Sequence, residues 1–141
     1  MGQQQLLLII LGVIVVGIAV AVGITMFSDS AISANRDALT NDLVNLASRA
    51  QQYYRRPTSL GGGGNTFTGL TTTAGPTGGL AKLTNKPSNG NGTYSITVAG
   101  SGTGTSASLT LKGIGNELNN GTAVQVQAKV WPDRDSVWMV N

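Results

Sequence analysis

Neither cysteine nor histidine occurs in this chain. Their absence removes disulfides, the commonest ligands for zinc, copper and haem, and the usual cysteine nucleophiles and histidine acid–base catalysts. Charge is scarce too: nine Lys/Arg and six Asp/Glu in 141 residues, net +3. Only Arg55 and Arg56 are adjacent cations, so no basic stripe tracks a phosphate backbone and no specific nucleic-acid partner is expected. Asp133 and Asp135 flank a turn, with Glu117 the one other acid after Pro57. That set falls short of the roughly six to eight oxygens calcium takes, so no metal is expected. Gly61–Gly64 is not followed by the Lys-Ser or Lys-Thr pair of a phosphate cradle. Aromatics make up 5% of the chain, too sparse for an electron path, and Tyr53, Tyr54, Trp131 and Trp138 read as packing residues. The chain is therefore expected to need no cofactor and to be no enzyme.

What the chain does have begins near its start. Leu6 to Ile24 is a run of 19 residues with no charge, amide or hydroxyl. As a helix it spans about 28 Å, close to the hydrocarbon thickness of a bilayer. No Lys or Arg precedes it, unlike the basic n-region of a cleavable signal, so the segment reads as retained. From Ser28 to Arg56 no Gly or Pro interrupts the chain, and Ile32, Leu39, Leu43, Leu46, Ala50 and Tyr53 recur on one helical face. Asn35, Asp42, Asn45, Arg49 and Gln52 fall on the others. Arg55 and Arg56 suit the negative end of a helix, and Pro57 stops it. One helix over residues 1–56 is expected, with an apolar part at 1–27 and an amphipathic part at 28–56.

Residues 57–141 are expected to form a head behind a Gly-rich connector. Pro57 to Gly92 lacks strong periodicity and reads as loop or spacer, with Gly61–Gly64 a flexible or tightly turning element. Alternation then marks strands at Tyr94–Val98, Ala107–Leu111, Val124–Val130 and Ser136–Val140. The intervening segments Gly100–Gly104, Gly113–Thr122 and Pro132–Asp135 read as connections, so an antiparallel meander of about four strands is the simplest topology. The fold class is α+β: a long N-terminal helix packed on a small C-terminal antiparallel sheet. Leu39, Leu43, Leu46 and Ala50 are expected to bury against Ile96, Val98, Leu109, Leu111, Val124 and Val126.

The amphipathic half can lie on the sheet, but the apolar half has nothing in the chain to cover it. It must sit in lipid or against copies of itself. In this layout of Leu6–Ile24, the uninterrupted extension to Arg56, a Gly-rich connection and a C-terminal sheet, the chain resembles the type IV pilins and the related pseudopilins. The resemblance implies a single-pass precursor pool in the bacterial inner membrane. It also implies extrusion by inner-membrane assembly machinery into an extracellular homopolymer on the cell surface, with helices in its core. The family usually carries an acidic residue at mature position five, thought to pair with a neighbour's N-terminal amine; Gln5 stands here and can accept only a weaker hydrogen bond. Family members also carry a short basic leader ending in Gly. Cutting after Gly2 would put Leu7 at position five; taking Met1 as the first mature residue puts Gln5 there, and a chain without a leader is the third reading.

The subunit-packing residues expected on this basis are Gln5, Leu6, Leu7, Ile10, Gly12, Val13, Gly17, Ala21, Gly23, Ile24 and Phe27. Gly17 with Ala21, and Ala19 with Gly23, are small residues four apart, a spacing that lets helices approach closely and is also common in membrane helices generally. Gly12, Gly17 and Gly23 each weaken the helix by about 1 kcal/mol relative to Ala, so local unwinding around Gly12–Gly17 is expected in a packed core. Asn91 and Asn120 each begin an Asn-Gly-Thr glycosylation sequon. Two other readings share the architecture: a pseudopilin of a type II-like secretion system, and a monomeric membrane-anchored adhesin or binding module.

Overall fold

The computed structural model describes residues 2–141. Met1, one candidate for the first mature residue, lies outside the described residues. Helix α1 runs from Gly2 to Arg55, about 80 Å at the usual rise. It passes through Gly12, Gly17 and Gly23 without a break, so the loosening expected there is absent from the isolated subunit. An isolated glycine lowers helix propensity without removing a backbone hydrogen bond.

The helix ends two residues before the first proline, Pro57. The segment after Pro57 folds back onto the helix end. The N–H groups of Gly63, Gly64 and Asn65 donate to the carbonyls of Tyr53, Arg56 and Tyr54 at 2.8, 2.9 and 2.8 Å, satisfying acceptors that a helix end leaves open. The glycine run is therefore a tight cap. A Cβ on Gly63 would stand 1.9 Å from the Thr66 carbonyl oxygen, so no larger residue passes there.

Four strands follow: β1 (Gly92–Ser101), β2 (Ser108–Asn119), β3 (Thr122–Val130) and β4 (Asp135–Met139). They form one antiparallel sheet in the order β1-β2-β3-β4, the meander expected, because each connection is short. β2 continues well past Leu111. Gly113–Asn119 is strand and not connector, and the turn is only Asn120-Gly121, both at positive φ (49° and 79°). Asn-Gly is the pair that two-residue hairpins favour, since both positions need left-handed backbone.

α1 lies mainly over β2 and β3, and Leu39, Leu43, Leu46, Ala47, Ala50, Tyr53 and Tyr54 bury against the sheet. Of their expected partners, Ile96, Leu109, Leu111, Val124 and Val126 are buried. Val98 is not: it is 56% exposed. A bulge between Ile96 and Val98 sets two residues of β1 against one of β2, and that extra residue turns Val98 to the other face. The aperiodic segment after Pro57 is also more than spacer. Phe67, Leu70, Leu80 and Leu83 join the same core, held by 3-10 turns such as Gly79–Lys82, and the Phe67 ring lies 4.9 Å from that of Tyr54.

Candidate functional site

None of the apolar half of α1 touches the head. Leu6, Leu7, Ile10, Val13 and Ile24 are all more than half exposed, and Phe27 is 79% exposed; Gln5, Gly12, Gly17, Ala21 and Gly23 are exposed as well. The structure thus places every expected packing residue on one continuous rod projecting from the head. This helix is long and apolar enough to cross a membrane. At 3.6 residues per turn, Gly12, Ala19 and Gly23 fall on one face with Gln5, while Gly17 and Ala21 fall on another with Leu6, Ile10 and Ile24. A Cβ added at Gly12, Gly17 or Gly23 would meet nothing within 4 Å. Nothing inside the subunit calls for glycine at these positions, although each glycine weakens the helix.

The head end of α1 is fixed to its loops by polar side chains that periodicity alone assigns to solvent. Asp42 is the centre. Its Oδ2 accepts hydrogen bonds from Asn89 Nδ2 at 2.9 Å, from Asn91 Nδ2 at 2.8 Å and from the Tyr94 hydroxyl. Beside it, Asn35 Nδ2 donates to the Asn91 carbonyl at 2.9 Å and Arg49 Nη1 to the Leu83 carbonyl at 3.1 Å. Burial by itself would raise the Asp42 pKa, but hydrogen bonds from Tyr94, Asn91 and Asn89 outweigh it and hold the carboxyl below its usual value. Burial, then the bond to Asp42 and its charge, push the Tyr94 phenol upward. This is a clamp between helix and head, a charge-assisted network with its acceptor on α1 and its donors on the loop and β1.

The sign of its pH dependence follows. Asp42 binds its proton less readily in the folded head than in the unfolded chain, where the ordinary value is 3.8, so its contribution is complete above that value and lost as pH falls through the lower folded pKa. The melting temperature of the full chain in mild detergent is therefore expected to hold between pH 7 and about 5 and to decline below about 4. Asp42→Asn, which keeps an acceptor but loses the charge, should cost about 1–2 kcal/mol at neutral pH and flatten that decline. A variant that melts like the parent at both ends of this range would show the clamp to be idle.

The remaining candidates are dispersed. Asn120 sits exposed on the β2–β3 turn, whereas the Asn91 Nδ2, the atom a glycan would take, is the one donating to Asp42. Asp133 and Asp135 are exposed beside Trp131, whose ring is flanked by Lys129 Nζ at 5.2 Å and the Arg134 guanidinium at 4.9 Å. Among the described residues no three acids gather into a group able to hold a metal ion. A cleft of about 710 Å³ lies between β1 and the preceding loop. Leu80, Pro87, Tyr94 and Ile96 help to line it, with hydroxyls and one amide and no Lys, Arg, Asp or Glu.

The architecture is pilin-like: a long N-terminal apolar helix packed through its second half on a small antiparallel sheet. No protein-family profile, curated protein or solved structure matches this chain.

Proposed function

We propose that this protein is a structural subunit of a type IV pilus-like helical filament, with no catalytic role. It waits in the inner membrane as a single-pass precursor and polymerises on the cell surface through the apolar half of α1. The observation that carries this reading is the rod itself. Residues 6–27 leave a full helix surface uncovered, and three glycines on it face open space while weakening the helix. Lipid covers an apolar surface as well as protein does, so a lone anchor gains nothing from those glycines; close helix–helix contact does.

Transfer from lipid to a filament core yields little hydrophobic free energy, because lipid is as apolar as leucine. Assembly must draw on shape-matched packing and on an external motor, which is why inner-membrane assembly machinery is the expected partner. The test is electron microscopy of material sheared from cells expressing the full chain, with its identity checked by mass spectrometry. Thin filaments made of this chain are expected. A chain found solely in membranes, and monomeric in mild detergent, would replace this reading with the membrane-anchored module.

A further inference from the structure

We infer that Asp37 and Arg55 form an ion pair between neighbouring copies of this chain, on the face of α1 turned away from the sheet. The inference rests on the filament reading, which sets the copies parallel, and adds to it a stagger. Eighteen residues separate the two (55 − 37), which is five turns at about 3.6 residues per turn, so both lie on the same line along the helix. That line is nearly opposite the buried stripe Leu39, Leu43, Leu46 and Ala50. It runs through Asn41, Val44 and Ser48, all exposed, and falls on the face that carries Gly12, Ala19 and Gly23 lower down. The face along which helices can approach most closely is thus the face that ends in these two charges.

Among the described residues neither charge has an ion-pair partner within the subunit. No oppositely charged residue stands three or four positions from either one, the spacing at which helix side chains meet. Among the described residues the only polar contact at either side chain is the Arg55 Nη2 to the Pro132 carbonyl, at 3.5 Å. A second parallel copy shifted along the axis by about 27 Å brings its Asp37 beside the first copy's Arg55. That shift leaves about 54 Å of the two helices side by side. Unshifted parallel copies instead set Asp37 against Asp37 and Arg55 against Arg55. The pair therefore favours the staggered arrangement over the flush one.

The test is a charge swap in the full chain, reading filaments sheared from cells and checking membrane levels by blot. Asp37→Arg alone and Arg55→Asp alone are expected to lower filament yield by roughly tenfold or more, because each sets like charges together. The milder Asp37→Asn and Arg55→Gln should lower it less. The double swap, Asp37→Arg with Arg55→Asp, should return yield close to that of the parent. Arg56→Asp, one residue off the line, should leave it nearly unchanged. Parental yield from the single variants overturns the inference. So does a double swap no better than the singles, or an equal loss from Arg56→Asp. Filaments from the parent chain with unaffected singles sink the pair alone; no filaments from the parent chain sink the filament reading and the pair with it.

Discussion

Leu43→Asp is expected to leave the protein without a folded head. Leu43 is fully buried, on the helix face that meets β2 and β3. Truncating such a leucine costs about 2–5 kcal/mol through lost burial and the cavity left behind. An aspartate adds an unpaired charge, and among the described residues every Lys and Arg lies at or toward the surface, so none stands inside the core to meet it. The buried charge adds several kcal/mol more. Domains of this size are stable by only about 5–15 kcal/mol, so the two costs together reach most or all of the margin. The full-length variant in mild detergent should show no cooperative thermal transition, and protease should remove the head while sparing the detergent-covered helix. Leu43→Met, which roughly conserves volume, should cost less than about 1.5 kcal/mol. A cooperative melt of Leu43→Asp within a few degrees of the parent would contradict the packing of α1 on the sheet.

The second large effect is expected in assembly and not in folding. Gly17→Leu and Gly23→Leu both raise apolarity and helix propensity, so membrane insertion should be unchanged or improved. Neither leucine clashes within the subunit, because a Cβ at either position meets open space. In a packed filament core the added bulk lies where neighbouring helices approach, at about 1–3 kcal/mol per site, and the cost recurs at every subunit. Filament yield should therefore fall steeply while membrane levels hold. On the proposal that its amide accepts a hydrogen bond from a neighbour's N-terminus, Gln5→Leu should act in the same sense and more weakly. Blots of membrane fractions beside counts of sheared filaments separate insertion from assembly. Undiminished filament counts from all three variants would tell against close helix packing and favour the lone anchor.

The glycines also show how much of the candidate site lay open in the sequence. Small residues four apart in an apolar run can be read off the sequence as a face open to close approach, because the helix that carries them needs no tertiary partner to form. Their significance was harder to read, since Gly and Ala are frequent in any membrane helix. It took the structure to show that Gly12, Gly17 and Gly23 touch nothing in their own subunit. The line from Asp37 to Arg55 depends on the structure in the same way, because a helical wheel gives the faces of α1 while only the sheet's position says which face stays free.

Whatever follows from neighbours along the chain could be read directly from the residues. α1 is unbroken from Gly2 to Arg55 because no proline stands before Pro57, and its stripe of Leu39, Leu43, Leu46, Ala50 and Tyr53 buries as the period of 3.6 requires. Alternation marked the four strands, and the shortness of the connections made them a meander. What hangs on partners distant in the chain emerged with the folded arrangement. Phe67, Leu70, Leu80 and Leu83 enter the core from a segment without period, since a loop residue is buried by where its chain is led and not by any repeat. The bulge after Ile96 exposes Val98, because one unpaired residue reverses the faces of a strand. Asp42, on a flank of the helix that its period gives to water, becomes the acceptor for Asn89, Asn91 and Tyr94. A carboxylate finds three donors about fifty positions away only once the sheet has brought them to it.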